Sequence, residues 1–259
     1  MRSVLRFEVL GPLKVVRDGR VVAVPAAKQR TILASLALAV GHPVTVRTLI
    51  ERVWDDEPPA GARCAIQVYV SRLRQILGHD HGIHHSGHGY LLDGEVDIVE
   101  FETLCARAGT AGEDRMLSLL RQAVALWHDP LLSNVPSMTL HDQVVPALTE
   151  RCLQASEQRF ELELAHGNHH ELIAELIAVT RRHPLRERLN SQLMRALYLA
   201  GRQAEALDAY RSHARHLRAE FGLDPGERLA ALHQSILTGQ PAGPTVSAGS
   251  ARRAGAAPG

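Results

Sequence analysis

Gly167 and Gly201 stand 34 residues apart, in "ELAHGNHHELIAEL" and "LYLAGRQAEALDAY". A 34-residue helix-turn-helix period is the tetratricopeptide signature, and it leaves the surrounding chain few other ways to fold. Counting from Gly167, Leu172, Leu176, Val179 and Pro184 fall where such repeats place a small residue, a bulky one, a small one and a proline. The same offsets from Gly201 give Ala206, Tyr210 and His213, with the proline delayed to Pro225. The helical rhythm begins near Asp97 and runs to residue 238, punctuated by Pro and Gly. After Gln240, "PAGPTVSAGSARRAGAAPG" is a tail of small residues with nothing to build a core.

The preceding 95 residues follow another rhythm. "LRFEVLG", "PLKVVRDG" and "RVVAVP" read as short strands, and Asp18-Gly19 is a dipeptide favoured in tight hairpins. A helix is expected from about Ala27 to Val40, stopped by Gly41. A second follows Thr45, a suitable cap, with Val46, Leu49, Ile50 and Val53 recurring at i, i+3, i+4 and i+7. "DDEPPAGA" breaks it, because two prolines cannot both sit inside a helix. A third runs from about Ala60 to Leu77, and "YLLD" closes a short hairpin opened at "GHDHG". Strands, helix, helix-turn-helix and hairpin is the order of a winged helix, in which the second helix of the pair reads bases. The expected fold is mainly α with a small β component. A winged helix-turn-helix domain over 1–95 precedes an all-α tetratricopeptide-like repeat domain over 96–241, with a tail over 242–259.

At 259 residues there is room for both cores. Residues 1–95 carry 12 basic against 9 acidic side chains and residues 96–241 carry 15 against 19, a balance that permits nucleic-acid contact by the first part without demanding it. The longest apolar run, "TILASLALAV", is ten residues, far short of the roughly 20 a membrane span needs. The opening "MRSVLRFEVLGPL" has no long apolar run and no small-residue cleavage site, so export is not expected. Cys64, Cys105 and Cys152 are odd in number and far apart, which argues for a reduced, cytoplasmic protein.

On a helical wheel of residues 60–77, Ile66, Val70, Leu73 and Leu77 share one face. Gly61, Cys64, Ala65, Val68, Arg72 and Gln75 lie opposite, with Ser71, Gln67 and Arg74 towards the flanks. The outer face is small, polar and cationic, and the whole stretch has no carboxylate. In a major groove, Arg can bridge guanine O6 and N7, Gln can pair with adenine, and Ala or Val can meet a thymine methyl. Taken alone, the same pattern also describes an ordinary solvated helix face.

The segments "LRFEVLGPLKV", "KQRTILASLAL", "VWDDEPPAGARCAIQVYVSRLRQILG" and "GYLLD" resemble the OmpR-like winged helix of the Streptomyces antibiotic regulatory proteins. "FETL", "ALWHDPLL", "HPLRERLNSQLMRALYLAGRQAEALDAYR" and "EFGLDPGERLAALHQSIL" resemble that family's bacterial transcriptional activation domain, and the likeness covers about residues 3–241. It implies that Arg63, Gln67, Val68, Arg72, Arg74 and Gln75 face DNA. Arg72 is the strongest candidate, because wheel and resemblance agree on it. Trp54 matches an aromatic that either faces the sugar-phosphate backbone or closes the helix pair. Tyr90 matches a wing tyrosine, part core and part phosphate contact. Lys28 and Arg30 lie near the first helix's start, where they meet phosphate or only water; such contacts position without specifying sequence.

Five histidines, His79, His81, His84, His85 and His88, crowd the hairpin. Wings of this kind offer Arg or Lys to the minor groove just before Gly-Tyr, whereas "HHSGHGY" puts Ser86 near that place. A neutral histidine such as His88 can still hydrogen-bond phosphate, and a protonated one adds charge. In a strand, His79 and His81 would share a face and chelate loosely, but a metal needs three or four converging ligands. The expectation is a solvated, His-rich wing with no metal and no cofactor.

The resemblance implies a DNA-binding transcriptional activator of a secondary-metabolite cluster. It would bind tandem direct repeats near the −35 element as a homodimer and recruit RNA polymerase with its sigma factor. A repeat scaffold that binds peptides, with the first domain only a cap, is the competing reading. An enzyme is the weakest: GxxxxGK[ST], GxSxG and HExxH are all missing, and His169, His170 and His183 read as solvated turn residues.

Overall fold

The computed structural model describes residues 5–79 and 81–239; the expected tail over 242–259 lies outside them. The chain divides into two compact units, one ending at Arg159 and the other beginning at Phe160.

In the first unit, β1 (Leu5–Glu8) pairs antiparallel with β2 (Lys14–Arg17), and β2 with β3 (Arg20–Val21). The β2–β3 turn is the expected Asp18-Gly19, both at positive φ (47° and 78°), as a two-residue hairpin of this hand requires. Helix α1 (Ala27–Ala37) ends three residues before the expected Val40, and the chain turns through Gly41 at φ 76° into β4 (Val44–Thr45). Helix α2 (Val46–Trp54) starts where its cap dictates: Thr45 Oγ1 accepts from the Thr48 amide at 3.1 Å. Helix α3 (Ala62–Leu77) follows the proline break, then β5 (Ile83–Ser86) and β6 (Gly89–Leu92) form a hairpin, and β4 adds to β6 as a third strand.

The chain next returns to the first sheet. β7 (Glu95–Val96) runs parallel to β1, completing the order β3-β2-β1-β7. It leads into α4 (Asp97–Ala108), α5 (Glu113–Ala125), α6 (Met138–Gln143) and α7 (Val145–Ala165). Asp97 is buried at the start of α4, and its carboxylate accepts from the Val9 and Leu10 amides at 2.9–3.0 Å. Burial raises its pKa despite those donors. The rhythm of the sequence therefore changes at residue 97, while the packing divides inside α7.

In the second unit, α8 (His169–Arg182), α9 (Glu187–Leu199), α10 (Gln203–Phe221) and α11 (Glu227–Leu237) pack in succession. Gly167 and Gly201 occupy equivalent inter-helix turns at φ 82° and 75°, so the 34-residue spacing is a repeated turn. Leu172, Leu176 and Val179 are buried, as are Ala206 and His213; Tyr210 is half-buried and stacks on His233 at 4.0 Å. The delayed proline has a structural counterpart. His213 donates through Nδ1 to the Pro184 carbonyl at 2.9 Å, and Glu187 accepts from the Gly226 amide at 2.7 Å, tying α9 to the α10–α11 turn.

Candidate nucleic-acid interface

The wheel drawn from the sequence matches the faces of α3. Ile66, Val70, Leu73 and Leu77 are buried, together with Ala62, while Arg63, Cys64, Gln67, Val68, Ser71, Arg72 and Gln75 are exposed. Ala65 is half-buried. Val68 keeps 47% of its surface exposed, an apolar side chain in the middle of a polar face. Such a face offers two guanidinium groups, two carboxamides and a methyl pair at helical spacing, the chemistry of base-edge recognition.

The C-terminal end of the helix is fastened from outside it. At the C-terminal end Arg17, from β2, donates to the Leu77 carbonyl, one of the carbonyls a helix leaves unpaired. Arg74 departs from the sequence expectation. It is half-buried, its Nε donates to the Ile83 carbonyl at 3.2 Å, and its guanidinium lies 5.9 Å from the Tyr90 ring centroid. It ties α3 to the wing because the flank of the helix faces β5. Tyr90 is 6% exposed and meets His85 edge-on at 5.6 Å, so its ring belongs to the core beneath the hairpin.

Arg30 also differs. Its Nε donates to the Asn134 carbonyl at 2.7 Å, and Nη1 donates to the carbonyls of Pro25 (2.6 Å) and Val24 (3.2 Å). The guanidinium is committed to backbone because a segment 104 residues away folds over the start of α1. Lys28 instead sits over the Trp54 ring at 4.4 Å, and Trp54 lies 6.2 Å from Tyr69. Both Trp54 and Tyr69 are half-buried, so this small stack joins α1, α2 and α3 while leaving an edge to solvent.

In the wing, His84, His85 and His88 are exposed and Ser86 half-buried. The turn is Gly87-His88, with Gly87 at φ 54°. Gly89 is required for a different reason: a Cβ there would overlap the Val44 carbonyl, where β4 pairs with β6. His79 and His81 precede β5, so they do not share a face of that strand. The strand begins at Ile83, His79 follows the end of α3, and His81 Nδ1 accepts from the Ile83 amide at 2.9 Å. Among the described residues no three His, Cys, Asp or Glu side chains gather to hold a metal ion, and no helix is long and apolar enough to cross a membrane.

Outside the stretch drawn on the wheel, Arg47 in the first turn of α2 has a side chain 89% exposed and pairs with Glu51 at 2.9 Å. No local signal pointed to Asn134, whose Oδ1 accepts from the Leu13 amide (2.8 Å) while Nδ2 donates to the Leu13 carbonyl (3.0 Å).

Residues 96–237 match the family model of the bacterial transcriptional activator domain, and residues 22–92 match that of the C-terminal domain of transcriptional regulatory proteins. The chain is 41% identical over 258 residues to Regulatory protein AfsR of Streptomyces coelicolor, covering 96% of this chain and 26% of the relative. It therefore spans about a quarter of that protein. It is 34% identical over 265 residues to Regulatory protein DnrI of Streptomyces peucetius, covering 94% and 97%. Among solved structures, Mycobacterium tuberculosis EmbR in complex with a low affinity phosphopeptide superposes with a TM-score of 0.80 at 35% identity, over 93% of this chain and 66% of that one. With the activator-domain match spanning more than half its residues and a relative 34% identical aligned over 94% of this chain and 97% of that protein, the chain belongs to the Streptomyces antibiotic regulatory protein family of transcriptional regulators.

Proposed function

We propose that this protein is a sequence-specific activator that binds promoter DNA through the outer face of α3. The observation that carries the reading is that Arg63, Gln67, Val68, Arg72 and Gln75 are all exposed on the face opposite a wholly buried stripe, with no carboxylate among residues 60–77. Arg72 and Arg63 bind guanine edges or adjoining phosphates, Gln67 and Gln75 pair with bases, and Val68 meets a thymine methyl. Lys28, resting on Trp54, and His88 at the tip of the wing add backbone contacts that set the register. Arg74, Tyr90 and Arg30 hold this surface in shape from behind.

Tandem direct repeats near the −35 element are the proposed target, occupied by two head-to-tail protomers on one face of the duplex. The helical units supply the surface that recruits RNA polymerase and its sigma factor, and the regulated genes are those of a secondary-metabolite cluster.

Fluorescence anisotropy on the fragment upstream of its own gene, against random duplex of equal length, tests this. The expected result is preferential binding that weakens along a log–log line with salt. Arg72→Ala should cut the preference by about 1–3 kcal/mol, the worth of one good bidentate pair. Alkylation of Cys64, exposed on the same face, should slow when the promoter is bound. Equal binding to both duplexes, or a Cys64 indifferent to DNA, would retire the proposal in favour of a peptide-binding scaffold.

A further inference from the structure

Asp55 ends α2 in a backbone conformation (φ 51°, ψ −115°) that a residue with a side chain rarely adopts. Such strain persists only where surrounding contacts over-determine it. Those contacts come from a segment more than 80 residues away. The Asp55 carboxylate accepts from the Thr139 amide at 2.8 Å, the Thr139 hydroxyl at 2.7 Å and the Met138 amide at 3.4 Å. In the other direction, Ser137 Oγ donates to the Arg52 carbonyl at 2.6 Å, and Thr139 Oγ1 lies 3.3 Å from the Glu51 carbonyl. Ser137 Oγ also accepts from the Leu140 amide at 3.2 Å, so one buried hydroxyl caps α6 and closes α2 together. Burial works to raise the Asp55 pKa, but the Thr139 and Met138 donors outweigh it and hold the carboxyl below its usual value.

Six exposed residues separate this latch from α3, with Pro58 and Pro59 stiffening them. Over that short path the direction in which the chain leaves α2 sets the position at which it enters α3. Arg17 and Arg74 fasten the opposite end of α3, next to Arg72 and Gln75. Among the described residues, the end that carries Arg63 and Gln67 receives no such side-chain bond; its added support is the latch.

We infer that Asp55, Ser137 and Thr139 are positioning residues for DNA reading: the segment over 128–139, outside the residues matched to the DNA-binding family model, holds the N-terminal half of α3 in register. This rests on the DNA-reading role proposed above. It makes a segment inside the activator-domain match over residues 96–237, and not the winged helix alone, a determinant of affinity.

The test uses the full chain. Asp55→Gly removes the carboxylate and relieves the positive φ, so a fall in affinity cannot be blamed on strain. Thr139→Val removes the hydroxyl at nearly constant shape. Each should lower the promoter-over-random affinity ratio about fivefold to tenfold, the scale of one lost cap. The double variant should be no worse than the poorer single one, since both cut the same latch. Asp55→Gly should be non-additive with Arg63→Ala and additive with Arg72→Ala, a positional pattern that general destabilisation would not produce. Without DNA, amide exchange over residues 56–63 should accelerate in both variants while α8 to α11 keep wild-type protection. An unchanged affinity ratio, or additivity with Arg63→Ala, would overturn the inference. Should the wild type show no promoter preference, the DNA-reading proposal fails, and exchange over 56–63 decides the latch by itself: unchanged protection there overturns it.

Discussion

Helices α4 to α6 and helices α8 to α10 read alike along the chain, yet they are held by contacts of different reach. In the repeat, Arg195 bonds Glu161 at 2.6 Å across 34 residues, one period, and His213 reaches Pro184 across 29. Before Arg159, Asp97 reaches back 88 residues to Val9 and Asn134 reaches 121 to Leu13. A repeat stacks on its neighbours, so its period announces its contacts. The segment after α5 has no period and binds whatever the first sheet and α2 leave unpaired. The helical rhythm that begins at Asp97 thus covers two kinds of structure.

The largest test of that contrast is in the cores. Both tryptophans, Trp54 and Trp127, precede Arg159, so their fluorescence follows the first unit, whereas far-ultraviolet circular dichroism follows all helices. Phe101→Ala, fully buried in α4, should cost about 3–5 kcal/mol and move the fluorescence transition in urea. Leu176→Ala in α8 should cost about 2–5 kcal/mol and move the dichroism transition alone. If Leu176→Ala shifted the fluorescence equally, the contrast between the two kinds of helix would collapse into one cooperative structure.

Smaller changes sharpen it. Asn134→Ala strips both Leu13 backbone groups of their partner and should cost about 1–3 kcal/mol by urea melting followed through tryptophan, a large effect for a half-buried loop residue. At Asp55 the folded-state pKa lies below the unfolded one, so its stabilisation is present above the unfolded value and is lost as pH falls through the folded one. The difference in urea midpoint between wild type and Asp55→Ala should therefore be constant near neutrality and shrink below about pH 4. A difference that widened in acid would mean that the carboxylate is not what the latch uses. Least of all, Arg47→Ala breaks only an exposed i,i+4 pair and should change stability by about 0.5 kcal/mol or less; a bigger change would assign that cation a structural role.

Much of the proposed reading surface was legible because it depends on short-range periodicity. The buried stripe of α3, the Thr45 cap, the Asp18-Gly19 turn and the repeated turns at Gly167 and Gly201 all follow from intervals of a few residues or one repeat. Side chains on the flank of a helix were not legible at that range. Arg74 and Arg30 have the composition of phosphate contacts, and only the arrival of β5 and of Asn134 turns them inward to carbonyls. The histidines followed the same logic: β5 begins at Ile83, so His79 and His81 do not share a face of that strand.

By itself, then, the sequence determined the order of elements, the inner and outer faces of α3 and the repeat, because each is set by local propensity and spacing. Tertiary structure alone decided that the chain after β7 folds back onto the first sheet, that the packing divides in α7, and which cations remain free. Those outcomes depend on carbonyls and amides finding partners up to 121 residues away, and no local spacing in the chain encodes where such partners lie.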